Sequence, residues 1–376
     1  MSPRQGRRLA GVSRALLALF SLLVALLALE LGVRLIRPQA DPPVETPDLL
    51  RGQFREPGVH HNRSSEFSVQ VHVNGDRFVD REWSPPIPGV PRVVVIGDSF
   101  VEAAQVELEQ GFGRVLEDAL SQVRGAPVQV LSMGVPGAGT ATALGVLERY
   151  ALPQDPQLVV LGFLLSNDVL NNHPLLEPKD DKPFYRLEGD LLVPTTAQRS
   201  LDRGWRRAVV WDHSHTWRLL ARTVLGRRMS RESLARGGGM PIDLRVHDPA
   251  GGPLWDEAWA VTDALVAAMA QACEARGVAF ATLIFPSQVE ATREGREAAI
   301  EAWPAMESWE LSAALDHATT MAGGHGPALN LTPALRAAQG GAPLYFAQDG
   351  HWTAAGHRVA AQASAPFLAP LLVGGR

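Results

Sequence analysis

Cysteine is almost absent from this chain. Cys273 is the only one among 376 residues. No intrachain disulfide can therefore form, and a lone thiol makes no metal site. Its ordinary place is that of a small buried helix residue. Basic charge is also in short supply: 35 Lys and Arg stand against 40 Asp and Glu, a formal net charge of −5. That excludes the basic surface of a typical nucleic-acid binder. The sequence has no internal repeat and no long low-complexity tract, so solenoids and arrays are excluded. The His-x-His pair His213 and His215 lacks a third ligand for a metal site, and nothing in the sequence calls for a cofactor. What remains, 46% hydrophobic and 20% charged residues, suits a globular protein with a sizeable core.

The N-terminus departs from that average. Arg4, Arg7, Arg8 and Arg14 precede an uncharged apolar run from Ala15 to Leu29, which continues past Glu30 to Ile36 and stops at Arg37-Pro38. A helix needs roughly 20 residues to cross the hydrocarbon layer. Residues 15–36 suffice if Glu30 and Arg34 sit at the far interface, where long side chains snorkel. The basic flank would stay cytoplasmic by the positive-inside rule, and the rest of the chain would lie outside the inner membrane, in the periplasm or at the cell surface. A signal peptide, cleaved to release a secreted protein, is the alternative.

Residues 1–37 thus form the basic flank and anchor. Residues 38–91 read as a linker and lead-in: Pro and charge to about residue 60, then the alternating strand 66–74. From Arg92 short apolar runs alternate with helical stretches. Val93–Ile96, Val128–Leu131, Leu158–Leu165, Val278–Phe285 and Ala328–Leu331 are the strands; 107–124, 139–150, 256–276, 305–321 and 353–371 are the helices. Such alternation predicts an α/β fold with a mostly parallel sheet. Residues 175–255, rich in arginine and carrying Trp205, Trp211, Trp217 and Trp255, break the rhythm. They read as an insertion, helical between about 200 and 232, that could cap a pocket or merely elaborate the surface.

Ligands of open α/β sheets bind beyond the carboxyl ends of the strands. Those ends carry Gly97-Asp98-Ser99, Ser132-Met133-Gly134, Ser166-Asn167-Asp168 and, further on, Asp349-Gly350-His351. A serine hydroxyl needs a base within hydrogen-bond reach and an orienter for that base. His351 is the candidate base. Asp349 is the candidate orienter, since an extended Asp-x-His segment points both side chains the same way. The N–H groups of Ser99 and Gly134 and the Asn167 amide are candidate oxyanion donors. Asp98 reads as a brace for the turn, Trp352 as packing beside the base, and His357 as structural. Glu102 is close enough in sequence to line the site.

These four segments, in this order, resemble the SGNH (GDSL-type) hydrolase superfamily over about residues 92–372. Ser99 falls on the nucleophile, Gly134 on the glycine of the second block, Asn167 on the asparagine of the third, and Asp349 and His351 on the acid and base of the last. Asn74-Gly75-Asp76-Arg77-Phe78, Asp80-Arg81-Glu82 and Glu30-Leu31-Gly32-Val33-Arg34 resemble bacterial membrane-anchored members. The resemblance implies a three-layer α/β/α sandwich with a flavodoxin-like five-stranded parallel sheet. It also implies acyl-ester chemistry through an acyl-serine. Three positions depart from the pattern. One residue, not two, separates Asp349 from His351, a spacing also found in alginate O-acetyltransferases. Ser132 stands where asparagine is common, and Leu165 where glycine is common.

The expectation is a membrane-anchored serine esterase or carbohydrate O-deacetylase acting on a small acyl ester or acylated glycan, with no metal, cofactor or nucleic acid. An O-acyltransferase that modifies cell-envelope material or exopolysaccharide is the first alternative. A non-catalytic anchored binding protein is the second.

Overall fold

The computed structural model describes residues 3–36, 55–177, 182–195, 214–220, 223, 234–235 and 238–372. They fall into two units: Met1–Pro42 with Asp202–Arg228, and Pro43–Leu201 with Met229–Arg376.

In the first unit, helix α1 spans Pro3–Ile36. Its stretch Arg14–Ile36, 23 residues, is long and apolar enough to cross a membrane, and nearly all its large apolar side chains are exposed. Residues 215–220 are helical. The rest of the helix expected between about 200 and 232 lies almost wholly outside the described residues.

The second unit opens with an antiparallel hairpin, β1 (Gly58–Arg63) and β2 (Ser68–Val73). The sequence pattern picked out β2 only. β1 is largely exposed and carries no apolar alternation, so nothing in its residues distinguishes it from a linker. The main sheet consists of β3 (Arg92–Gly97), β4 (Gln129–Gly134) and β5 (Leu158–Leu164), joined further along the chain by two more strands. Before those comes a second hairpin, β6 (Phe184–Glu188) and β7 (Leu191–Thr195), inside the expected insertion. The last two sheet strands are β8 (Ala279–Phe285) and β9 (Ala328–Asn330). The order is β4-β3-β5-β8-β9, and every pairing in it is parallel. The strands are predominantly apolar because both faces are covered. One face packs under the helices Thr140–Val146, Pro253–Glu274 and Leu311–Gly323. The other lies under Phe112–Arg124 and Ala354–Leu368.

Two expected helices are interrupted. That of 139–150 is α-helical only over Thr140–Val146 before a wider turn at Leu147–Ala151. That of 305–321 is a short 3-10 segment, Pro304–Ser308, followed by Leu311–Gly323. The Asp80 carboxylate, fully buried, ties the lead-in to the sheet. It accepts from the backbone N–H of Ser132 and the Trp83 indole N–H, and pairs with Arg114 at 3.3 Å. Burial pushes its pKa up, against the opposing pull of Arg114. Such a buried group holds its place only because each oxygen has partners.

Candidate active site

β3 lies between β4 and β5, the point in this strand order where connections leave in opposite directions and a crevice opens. Directly after β3, Asp98 accepts the Phe100 N–H at 2.9 Å and caps a one-turn helix, Ser99–Glu102. Gly97 pairs in register with Gly134 on one side and Gly162 on the other. This row of glycines lets the short helix lie down on the sheet. A Cβ at Gly134 would collide with the backbone of Val101 and Glu102.

Ser99 therefore stands at the first position of a helix, with its side chain in a cleft of about 840 Å³. His351 Nε2 lies 2.7 Å from Ser99 Oγ, and His351 Nδ1 lies 2.6 Å from Asp349 Oδ1. The expected extended Asp-x-His segment is in fact a turn. Gly350 has φ +81, its N–H bonds to Phe346 O at 2.9 Å, and Phe346 N–H bonds to His351 O at 2.9 Å. The turn, rather than strand alternation, brings the carboxylate onto the imidazole.

Burial pulls the His351 pKa down. The hydrogen bond and charge of Asp349, with the charges of Asp98 and Glu102, outweigh it, so the net shift is upward. Burial likewise pushes Asp98 up to about 6, against the Phe100 N–H, the His351 charge and Asn167. Asp168, buried beside it, is raised further by burial and by the charge of Asp98, while accepting the Leu164 N–H at 2.7 Å.

Asn167 lines the cleft as the sequence suggested. Its amide nitrogen donates to Asp98 Oδ2 and to the Ala138 carbonyl, both at 3.1 Å, and its oxygen accepts from Asn171 at 2.6 Å. Gly134 is placed differently from the other expected donors. It is the last residue of β4, packed under the short helix, and it does not line the cleft; Gly137 does, with φ +67. Both glycines belong to one Gly-Val-Pro-Gly stretch, and only the depth of the strand end separates their roles. Among the described residues no hydrogen bond uses the N–H of Ser99 or of Gly137.

The outer expectations fare variously. Trp352 is buried edge-on against Phe100, which in turn packs on the His351 ring. Glu102 is buried and pairs with Arg55 at 3.3 Å. His357 is buried in the closing helix. Sequence reasoning missed most of the cleft wall: Asp243 and Leu244 from a 3-10 segment, Gln288 after β8, Trp303, and the ion pair of Lys182 with Glu177. These residues sit on four separate stretches, and no local spacing links those stretches. Among the described residues no cluster could hold a metal ion. His213 lies outside the described residues.

Residues 255–374 match the family model for the SGNH hydrolase-like domain, acetyltransferase AlgX. Among solved structures the chain is similar to TesA, with 16% identity over 74% of this chain and 99% of that one, at a TM-score of 0.37. It is also similar to a lipase/acylhydrolase from Enterococcus faecalis, with 14% identity over 75% and 96% and a TM-score of 0.36. A third is a catalytic mutant of an acetylxylan esterase from Geobacillus stearothermophilus, with 12% identity over 77% and 97% and a TM-score of 0.37. No curated protein matches the chain in sequence. The family match spans the segment that supplies Asp349 and His351, so residues 255–374 resemble an SGNH hydrolase-like domain, and the apolar N-terminal helix of the same chain fits a membrane anchor.

Proposed function

We propose that the protein is a serine enzyme that cleaves acyl esters, anchored so that its catalytic unit lies outside the inner membrane. The observation that carries it is the line Ser99 Oγ, His351 Nε2, His351 Nδ1, Asp349 Oδ1, with steps of 2.7 and 2.6 Å, in the lining of the cleft. In the proposed reaction Ser99 Oγ attacks the ester carbonyl carbon while His351 Nε2 takes its proton. Asp349 holds the imidazole in the tautomer that leaves Nε2 free and stabilises the imidazolium. The oxyanion is received by the backbone N–H of Ser99 and of Gly137. Asn167 supplies a third donor by exchanging its bond to the neutral Ala138 carbonyl for one to the charged oxygen, which is the stronger acceptor. The intermediate collapses, the ester C–O bond breaks, and His351 returns the proton to the leaving alcohol. An acyl-serine remains. Water, deprotonated by His351, attacks it and regenerates Ser99.

A second reading is transfer, in which the acyl-serine is resolved by a glycan hydroxyl. The description of the matching family as an acetyltransferase favours it. A cleft of about 840 Å³ is also larger than a short acyl chain requires. Both readings use the same residues. The basic flank sets the orientation in either case.

A fluorophosphonate probe tests the shared core. Wild type is labelled and Ser99→Ala is not; a folded wild type that stays unlabelled leaves only a binding role. Acetate release from p-nitrophenyl acetate, measured with and without an oligosaccharide acceptor, then separates hydrolysis from transfer. Acceptor-dependent turnover with acetylated glycan as product would overturn the hydrolytic reading.

A further inference from the structure

The first unit contains a contact that neither the fold family nor the proposed chemistry explains. Glu30 interrupts the apolar run of α1, and its carboxylate accepts three bonds from the inserted segment. These come from Ser214 Oγ at 2.8 Å, His215 N–H at 2.8 Å and Thr216 N–H at 2.9 Å. Arg34 pairs with the same carboxylate at 2.7 Å. A carboxylate inside a spanning helix is costly unless it is paired or reaches the interface, and this one is paired. Six residues separate Glu30 from the helix end at Ile36, which at about 1.5 Å per residue is ~9 Å. The contact therefore lies within about two helical turns of the end of the apolar run.

The helical residues 215–220 leave that cap carrying an exposed apolar pair, Trp217 and Leu220, at 45% and 55% exposure. Spaced by three, the two share one face. The sequence around them, 202–228, holds seven arginines and two aspartates. Tryptophan and arginine together are the composition of segments lying in a headgroup layer, where the indole is half immersed and the guanidinium meets lipid phosphate. From these observations we infer that the insertion around residues 214–220 is a membrane-surface element. Its partner is the same bilayer that α1 crosses, with Trp217 and Leu220 facing lipid and Glu30 as the latch that holds the element there. The inference rests on α1 being a retained membrane anchor. It also gives a physical reason for retention, since removal of α1 would strip the Ser214, His215 and Thr216 donors of their acceptor.

The test uses the full chain in nanodiscs containing phosphatidylglycerol, with single spin labels at L220C, L23C and V123C. Val123 is an exposed position on the helix Phe112–Arg124. Cys273 is buried, and burial pushes its thiol up to about 12, so it stays unlabelled. The readout is collision with oxygen relative to a water-soluble nickel chelate. The expected ratio at L220C is severalfold above that at V123C and falls toward it in E30A, while L23C stays lipid-like in both. If L220C matches V123C while L23C is lipid-like, the inference is overturned and the anchor stands. If L220C is lipid-like and unmoved by E30A, the assignment to Glu30 is overturned. If intact mass shows α1 removed, or L23C is aqueous, the anchor reading falls and the inference with it.

Discussion

The Glu66 carboxylate accepts the backbone N–H of Asp349 at 2.8 Å, although 283 positions separate them. It also accepts the N–H of Gln348 at 3.0 Å, and next to it the Phe67 and Phe346 rings meet at 5.2 Å. The turn between the two lead-in strands thus clamps the loop that carries the orienting acid, from outside the cleft. Its removal would let Asp349 drift relative to His351.

Because small misplacements are costly in rate, Glu66→Ala is expected to lower kcat by about tenfold, with KM within about twofold. Glu66→Gln, which keeps one acceptor oxygen, should restore part of the loss. Steady-state kinetics beside a urea titration distinguish this from simple instability. A uniform loss that tracks the unfolded fraction, with no kcat effect in the folded protein, would refute positioning.

The pH profile should report His351. The base must be neutral to accept the Ser99 proton, so activity is lost as pH falls through its pKa. Its ionised form is favoured by Asp349 against burial, so the acid limb of kcat/KM should lie above that of an unperturbed histidine. Asp349→Asn removes the negative charge and the fixed tautomer. It should move the limb to lower pH and cut kcat by as much as about 10⁴. A limb that stays in place would mean that Asp349 does not govern the imidazole.

His357 gives a stability prediction of definite sign. Burial, with a smaller push from the His351 charge, lowers its pKa from 6.5 to about 3, and among the described residues neither ring nitrogen has a hydrogen-bond partner. The folded state keeps it neutral while the unfolded chain takes up a proton below about pH 6.5. Its contribution is therefore complete above that pH and is lost as pH falls toward about 3. The full span is on the order of 4 kcal/mol. In His357→Leu the decline of unfolding free energy over this acid range should be shallower by that order. An unchanged slope would show that His357 charges freely in the folded protein.

Much of the architecture and of the candidate site was legible because each is announced locally. The five sheet strands are apolar runs, and Ser99 and Asn167 follow two of them directly. What stayed hidden was set by distance. Glu66 reaches Asp349 only after the chain has folded, and Asp243, Gln288 and Trp303 converge from unrelated segments. Gly134 and Gly137 look equivalent in sequence. The distinction depends on β4 running through Gly134, so that this glycine serves the packing of the Ser99 helix and the next one faces the cleft. β1 was missed because an exposed edge strand needs no apolar pattern.

The single-residue spacing between Asp349 and His351 depends on Gly350. In an extended segment the two side chains would point the same way but run roughly parallel. Here φ +81 at Gly350 bends the chain so that Oδ1 and Nδ1 meet at 2.6 Å. A Cβ at this position would have nothing within 4 Å, so crowding is not what selects glycine. The selection is conformational: the left-handed region costs most L-residues about 1–2 kcal/mol, and asparagine less. Gly350→Ala should therefore either keep the turn at that cost or relax it and part the acid from the base. In the first case stability falls with kcat kept, in the second kcat falls, and Gly350→Asn should recover most of either loss. Thermal unfolding and kcat measured on the two variants separate these effects. Equal loss in Ala and Asn would mean that the side chain, not the backbone angle, is what the loop rejects.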